Sequence, residues 1–295
     1  MIDFSADKRF RIKNGQSFKL SDSDPSYTAG LHNSDEAKRD LNQERDKLSK
    51  LQEMLYAGKR HAILVIFQAL DAAGKDSCIK HVLSGLNQQG CTATSFRSPS
   101  KIDISHDFLW RSVPFLPERG SIGIFNRSYY EDVLICKVRP EFIVEQKLPG
   151  IETAEDITKK FWKARYESIR NFEKHLHASG TTIIKFFLHV SKAEQRIRLL
   201  ERIDDPEKNW KFDVNDIRER ELWPAYQKAY EKAIRETATP EAPWYVVPAD
   251  NKWFTQMVVA DTIRGALERL DLRYPKPDDE MQEVLRTART HLVKE

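Results

Sequence analysis

Several features that mark common protein classes are scarce in this 295-residue sequence. Its three cysteines, Cys78, Cys91 and Cys136, are unevenly spaced and form no C-x-x-C pair, which argues against a disulfide framework or a cysteine metal site. No apolar run reaches transmembrane length, and the first ten residues contain no apolar signal segment. We therefore expect a soluble, cytoplasmic protein with buried thiols and no membrane partner.

A strong excess of one charge is also missing. The sequence has 48 Lys and Arg residues against 45 Asp and Glu residues, a formal net charge of +3. A charge this small gives no overall field that favours nucleic acid as a partner. The length leaves room for one large domain with appendages, or for two small domains. We divide it into an N-terminal arm (1–34), a main domain (35–275) and a charged C-terminal tail (276–295) whose end is predicted to be helical.

The most informative stretch runs from Ile63 to Ser77. It begins as an unbroken apolar run, typical of a strand buried on both faces of a parallel sheet, and continues through small residues to Gly74-Lys75 and a helical pattern. This is the arrangement of a phosphate-binding P-loop, in which backbone amides and a lysine face the anion. The predicted phosphate contacts are Ala72, Ala73, Gly74, Lys75, Asp76 and Ser77.

The P-loop pattern departs from the usual consensus at two positions. Ala69 stands where the first glycine is expected, and Asp76 stands where Ser or Thr usually binds the metal ion. The alternative interpretation is a strand-to-helix turn that needs Gly74 only for its backbone angles.

Strands and helices alternate along the rest of the main domain. The further predicted strands are Thr92–Phe96, Ser121–Phe125, Thr182–Val190 and Trp244–Pro248. This alternation predicts an α/β fold, a doubly wound parallel sheet of about five strands flanked by helices. Helices are expected from Ser34 to about Tyr56, over His106–Arg111, after the Asn126–Asp132 segment to about Lys137, over 154–177, from a capping box at Ser191–Glu194, over 216–235 with a kink at Pro224, and up to Leu270.

Acidic side chains follow two of the predicted strands. Asp71 lies inside the loop, where a carboxylate beside phosphates makes sense if Mg²⁺ lies between them. Its alternative role is to cap the amides of the loop. Glu131 and Asp132 follow the third strand and are candidates for a second acidic group, or for acids that complement the dipole of a helix start.

Basic side chains supply the charge neutralisation that phosphoryl transfer requires. Arg127 comes directly after a buried strand, so it must meet an anion or a carboxylate such as Glu131. Arg196, Arg198 and Arg202 share one predicted helix in a lid region (about 192–235). They either close over a nucleotide or form a solvated face with pairs such as Glu194–Arg198.

Four segments together resemble the polyphosphate kinase 2 family: Asp71–Asp76, Phe125–Val133, Asp205–Phe212 and Ala242–Trp253. The resemblance runs in order from about Lys38 to Leu270, and the Phe-Asn-Arg-Ser-Tyr-Tyr-Glu-Asp segment is similar to the branch that phosphorylates nucleoside mono- and diphosphates. It implies a thymidylate-kinase-like P-loop fold with a helical lid, Mg²⁺ or Mn²⁺, a dimer or tetramer, and phosphoryl transfer from inorganic polyphosphate to AMP or ADP, with guanine nucleotides as further candidate acceptors.

The resemblance also implies roles for residues. Asp71 would bind metal, Lys75 would hold the phosphates, Arg127 would clamp them near the reacting centre, and a lid arginine would reach over the transferred group. Asn126 stands where several relatives carry an acid. Glu131 or Asp132 is then the candidate for the missing charge, and we predict Asp71 and Asp132 as metal ligands and Asp132 as catalytic.

A polymeric anion should lie along a basic groove, for which the candidates are Arg97, Lys101, Arg111 and Lys137. Its binding should weaken steeply with salt. Two other functions stay open at this point: an ATP-dependent nucleoside monophosphate kinase, and a non-catalytic module that binds a polyanion or a nucleotide. Dependence on the donor would separate the first from a polyphosphate-dependent enzyme.

Overall fold

A mixed six-stranded sheet organises the structure, a computed structural model that describes residues 4–33 and 35–295. Its strand order is β1-β6-β5-β2-β4-β3, in which β2 to β6 run parallel and β1 pairs antiparallel with β6. The predicted parallel sheet is confirmed, and β1 adds a strand that was not predicted. The strands are β1 (Arg11–Ile12), β2 (Ala62–Ala69), β3 (Cys91–Ser95), β4 (Ile122–Asn126), β5 (Thr181–His189) and β6 (Trp244–Pro248).

Helices cover both faces of the sheet. The α-helices are α1 (Asp35–Gly58), α2 (Lys75–Leu83), α3 (Lys101–Ile104), α4 (Ile135–Val138), α5 (Glu141–Val144), α6 (Lys159–Ala178), α7 (Lys192–Asp204), α8 (Val214–Glu221), α9 (Trp223–Thr237), α10 (Lys252–Glu268) and α11 (Asp279–Leu292). Short 3₁₀ helices include Trp110–Phe115 and Tyr129–Val133. None of the helices in the described ranges has the length and apolar character needed to cross a membrane.

The burial of the central strand β2 on both faces explains why its sequence is apolar throughout. Ile63, Val65 and Phe67 pack into one apolar layer with α1, α2 and α10, while Leu64 and Ile66 pack into the opposite layer with α6 and α9. Successive side chains of a strand point to opposite faces, so a strand covered on both sides must be apolar at every position. β2 lies between β4 and β5, and its carboxyl end therefore opens at the middle of the sheet edge.

The described part of the predicted arm is built into the domain. Phe4 and Phe10 are buried in the layer that contains α10, and the Phe4 amide donates to the Asp261 carboxylate at 2.8 Å. Pairing of β1 with β6 then extends the sheet by one strand. Ser34, the predicted start of the first helix, lies outside the described residues.

Two local predictions were wrong. The helix expected over His106–Arg111 is replaced by α3 and by the 3₁₀ helix that contains Pro114. By contrast, the helix expected after the Asn126–Asp132 segment is present as α4, which ends at Val138. Arg127 lies before it with a left-handed φ of 64°, outside helical geometry.

The second wrong prediction concerns Pro224, which was predicted to kink a helix. It lies instead in the first turn of α9, after α8 has ended. Proline is tolerated there because its missing N–H would have no partner within the helix.

Candidate active site

The loop between β2 and α2 has the geometry of a phosphate-binding turn. Left-handed φ angles occur at Ala72 (59°) and at Gly74 (101°), whereas Ala69 is the last residue of the strand. The consensus glycine at position 69 is therefore not needed for the backbone of this loop. Lys75 is buried and its Nζ donates to the Ala69 carbonyl at 2.8 Å, which holds it across the loop. Burial lowers the pKa of Lys75, and the nearby Asp71 carboxylate opposes that shift.

A cavity of about 550 Å³, here called the P-loop cavity, opens beside this loop at the carboxyl edge of the sheet. Among the described residues, eight basic and three acidic side chains line it, so the charge of the lining is far more positive, for its size, than the charge of the whole chain. Such a concentration of positive charge suits a polyanionic ligand. The basic lining residues are Lys75, Arg97, Arg127, Arg198, Arg202, Lys208, Lys211 and Lys252, and the acidic ones are Asp71, Asp76 and Glu201.

Arg127 connects this cavity to a second one. It follows β4, and its Nη2 donates to the Asp71 Oδ1 at 2.8 Å, so its direct partner is Asp71 rather than the predicted alternative Glu131. Burial opposes the charge of Arg127, but Glu131 and Asp71 raise its pKa above the ordinary value. The guanidinium therefore remains a permanent cation at the junction of the two cavities.

The second cavity, of about 190 Å³, is largely apolar and is called the apolar cavity below. Phe96 and Arg97 line both cavities, which places the two side by side. The remaining lining includes Ile104, Ile135 and Phe142 together with the charged groups Arg111, Glu131 and Asp132. An apolar cavity with a few charged groups at one end fits a ligand that combines an aromatic part with an anionic part.

The two acids after β4 have different environments. Glu131 lies near Arg127, Lys75 and Asp71, and burial raises its pKa against the effect of both cations. With its amide nitrogen turned toward Glu131, the buried Gln68 side chain donates to that carboxylate at 2.8 Å. Glu131 and Asp71 also line a common small cavity. Glu131 is therefore the carboxylate that the fold brings toward the loop.

Asp132 faces another direction. It is buried, and it accepts hydrogen bonds from the Gln146 amide at 2.9 Å and from the Arg165 guanidinium at 3.2 Å. Burial raises the pKa of Asp132, and Arg165 opposes the shift. Asp132 lines the apolar cavity, whereas Asp71 lines the P-loop cavity, so the two predicted metal ligands line different cavities, and their metal role stays a prediction. The catalytic role predicted for Asp132 stays a prediction.

The hydrogen bonds of Asn126 explain why an amide suits this position. Its Nδ2 donates to the Asp76 Oδ1 at 2.6 Å and to the Ser95 Oγ at 3.3 Å. A carboxylate in the same place would lie against that of Asp76 and repel it. The two sequence departures, Asn126 and Asp76, thus complement each other.

The three lid arginines occupy three different positions. Arg198 is buried, and its guanidinium donates five hydrogen bonds, to the carbonyls of Ala72, Ala73, Ala249 and Asp250 and to the Glu194 carboxylate. It therefore fixes the P-loop, and the Glu194–Arg198 pair considered as the alternative is present. Arg202 lines the P-loop cavity and pairs with Asp216 at 3.1 Å. Arg196 is exposed and lies outside the lining of this cavity.

The predicted basic groove is only partly assembled. Arg97 lines the P-loop cavity, and Arg111 donates to the Arg97 carbonyl at 2.8 Å beside the apolar cavity. Lys101 lies outside both cavities, and the Lys137 ammonium lies over the Trp162 ring at 4.2 Å.

Sequence reasoning missed Lys252, although it follows β6 at the same sheet edge that suggested Arg127. Lys208 and Lys211, noted only as part of the lid region, line the P-loop cavity as well.

A buried tether holds the segment that carries Arg127 and Glu131. Glu173 of α6 is 1% exposed and accepts hydrogen bonds from the Tyr129 hydroxyl at 3.0 Å, the Tyr130 hydroxyl at 2.8 Å and the Lys185 ammonium at 2.6 Å. The left-handed backbone of Arg127 is unusual for a residue with a side chain and persists only where its surroundings fix it. The tether supplies such a constraint.

The comparison with known proteins agrees with this geometry. The family model described as Polyphosphate kinase 2 (PPK2) matches residues 31–275. The chain belongs to the polyphosphate kinase 2 family. It is 48% identical to an ADP-polyphosphate phosphotransferase of Rhodopseudomonas palustris, over 97% of this chain and 98% of that protein. It is 42% identical to an AMP/ADP-polyphosphate phosphotransferase of Meiothermus ruber, over 94% of this chain and 99% of that protein.

A solved structure confirms the fold. The crystal structure of polyphosphate kinase 2 from Arthrobacter aurescens superposes with a TM-score of 0.83 at 36% identity and covers 94% of this chain and 95% of its own. The family and the P-loop kinase-like fold predicted from the sequence are therefore confirmed.

Proposed function

We propose that this protein transfers the terminal phosphoryl group of inorganic polyphosphate to AMP and to ADP, forming ADP and ATP. The observation that carries the proposal is the P-loop cavity, in which a phosphate-binding loop opens into a space lined by eight basic side chains among the described residues. Such a concentration of cations suits a long polyanion, which carries negative charge on every phosphate along its length. The two similar enzymes from Rhodopseudomonas palustris and Meiothermus ruber support it by their names.

The two cavities divide the substrates between them. Polyphosphate lies in the P-loop cavity, with its terminal phosphoryl between Lys75 and Arg127. The acceptor nucleoside lies in the apolar cavity against Ile135 and Phe142, and its phosphate points toward Arg127. The base is adenine, and we extend the acceptor class to guanine nucleotides because the apolar lining contacts both purines in the same way.

The reaction needs alignment and charge more than acid–base chemistry. An oxygen of the acceptor phosphate forms a bond to the terminal phosphorus, and the bond from that phosphorus to the bridging oxygen breaks, leaving the shortened chain as an anion. The acceptor oxygen is already ionised at neutral pH, so no strong base is required. Lys75, Arg127 and Arg202 stabilise the charge on the transferred group and hold both reactants in line.

We also propose Mg²⁺ or Mn²⁺ as the cofactor. Asp71 and Asp76 present carboxylate oxygens to the P-loop cavity, which are the ligands that Mg²⁺ prefers. Within the described residues, no group of three or more His, Cys, Asp or Glu side chains is arranged to hold a metal ion. That fits Mg²⁺, which usually takes one or two carboxylates and completes its shell with water and substrate phosphates. When bound, the ion neutralises phosphate charge.

We place the activity in the cytoplasm. Burial raises the pKa of Cys78 to about 12 and raises that of Cys136 further, so both thiols stay protonated and unreactive. All three cysteines are free, as is usual for proteins of a reducing compartment. We further propose that the protein forms a homo-oligomer.

The proposal is tested by luminescent detection of ATP with purified protein, Mg²⁺ and long-chain polyphosphate, with ADP or AMP as acceptor. ATP formed from both acceptors supports the full proposal. If ATP forms with ADP but not with AMP, the acceptor is restricted to the diphosphate. No ATP from either acceptor, together with ADP formed from AMP and ATP, identifies an ATP-dependent monophosphate kinase instead. Binding of polyphosphate without turnover identifies a non-catalytic module.

A further inference from the structure

The helix α11 stands apart from the rest of the described chain. Every residue from Arg273 to Glu295 is exposed, and the 14-residue helix lies outside both apolar layers of the domain. Pro275 and Pro277 in the preceding segment separate it from α10. Isolated helices of about 12–15 residues are only marginally stable in water. A partner surface would therefore stabilise α11 considerably.

One face of α11 is apolar. Met281, Val284, Leu285 and Leu292 are between 49% and 69% exposed, and Ala288 lies among them. Their spacing of three and four residues puts them on one stripe along the helix, the pattern of a helix-pairing surface. The small side chain of Ala288 at the middle of the stripe permits close approach of a second helix.

The charges of α11 are separated along its length, which determines the direction of pairing. Two parallel copies would place acids against acids and bases against bases, whereas two antiparallel copies place each acidic half against a basic half. Antiparallel helix dipoles also attract each other. The acidic half contains Asp278, Asp279, Glu280 and Glu283, and the basic half contains Arg286, Arg289, His291 and Lys294.

We propose that α11 pairs antiparallel with α11 of a second copy of this chain and thereby forms a homodimer. In this arrangement Met281 of each copy contacts Leu292 of the other, and Leu285 contacts Ala288 near the two-fold axis. The interface is self-complementary, as a two-fold dimer requires. One pair of short helices buries a small area, so we expect dissociation in the micromolar range. The inference does not depend on the proposed activity.

Cysteine cross-linking tests the direction of pairing. Single variants Met281→Cys and Leu292→Cys are prepared, one with a size tag, and are oxidised separately and as a mixture. Antiparallel pairing predicts a disulfide between the two variants in the mixture. Two copies of position 281 lie about 16 Å apart in that arrangement, from 1.5 Å rise per residue, which is beyond disulfide reach. A dimer of the Met281→Cys variant with itself, or no mixed dimer, overturns the proposal.

Analytical ultracentrifugation tests the surface itself. We expect Leu285→Glu to halve the mass of the assembly and Thr290→Glu, on the opposite face of α11, to leave it unchanged. Both variants should keep wild-type activity, since neither position lies near the P-loop cavity, and this activity controls for folding. An unchanged mass of Leu285→Glu, or a monomeric wild type, refutes the proposal. Loss of the dimer in Leu285→Glu without the mixed cross-link also refutes it, and indicates docking on another face such as the exposed Ile197, Leu200 and Ile203 of α7.

Discussion

Glu173 provides a test of how the active-site segment is held. Its carboxylate is buried with the Lys185 ammonium at 2.6 Å and also accepts from the Tyr129 and Tyr130 hydroxyls. Glu173→Gln keeps the shape of the side chain but leaves Lys185 as a buried cation without a carboxylate. Breaking a buried pair in this way costs about 3–5 kcal/mol of the free energy of unfolding. For a protein of this size, we expect Tm to fall by at least about 6 °C.

A second substitution separates stability from positioning. Glu173→Gln with Lys185→Met removes both charges, and since a buried ion pair can be replaced by uncharged groups at little cost, we expect at least about 2 kcal/mol to return. The tyrosine hydroxyls still lack their carboxylate in this double variant. We therefore expect kcat to stay about 10–100-fold below wild type, with a smaller change in KM, because Arg127 is less well positioned.

The assays are urea denaturation followed by tryptophan fluorescence and steady-state ATP formation. Trp244 is a suitable reporter because its ring lies 4.7 Å from that of Tyr130. A loss of less than about 1 kcal/mol in Glu173→Gln would refute the reasoning on the buried pair, because this is the range of an exposed pair. Wild-type kcat in the double variant would refute the positioning role.

Three further predictions concern the P-loop cavity. Asp71→Asn should lower kcat about 100-fold and weaken activation in a Mg²⁺ titration, because it removes a carboxylate that lines the cavity in which we place the phosphates. An unchanged titration would exclude Asp71 as a ligand. Lys252→Ala should raise the KM for polyphosphate and reduce the slope of log KM against log salt concentration by about one. Lys101→Ala, which lies outside the cavity, should change neither value. Burial and the Asp71 charge raise the pKa of Asp216 to about 6. Above that pH, the ionised Asp216 carboxylate pairs with Arg202 and competes with polyphosphate for its charge. The KM of the wild type for polyphosphate should then be about threefold higher than that of Asp216→Asn, and the two KM values should converge below pH 6. Parallel pH profiles of the two proteins would contradict this.

The sequence predicts much of the fold and the site because the relevant signals are local. β2 is apolar at every position because it is buried on both faces, and Gly74-Lys75 follows it directly, so the loop and its lysine are found without a structure. The place of Arg127 after β4 likewise follows from the rule that parallel strands end at one edge. The same rule, applied to β6, would have identified Lys252.

The missed features depend on contacts between distant parts of the chain. Arg198 appeared to be a lid residue, but it binds carbonyls of Ala249 and Asp250, which lie 51 and 52 residues away. For Asp132, predicted as a metal ligand, the sequence did not show that Arg165 and Gln146 both donate to its Oδ1. Neither partner lies near enough in the sequence to form a local pattern. The spacing of residues along a helix shows which face of the helix a residue occupies, but not which distant part of the chain packs against that face.

The central claim is that phosphoryl transfer from polyphosphate takes place in the P-loop cavity. The most direct measurement is the initial rate of ATP formation from ADP and long-chain polyphosphate by wild type, Lys75→Ala and Lys101→Ala, with circular dichroism as the control for folding. We expect Lys75→Ala to lose about 100–1,000-fold in kcat, as for the removal of one charge-stabilising donor, and Lys101→Ala to match wild type. A folded Lys75→Ala protein with a rate near that of wild type would contradict the account.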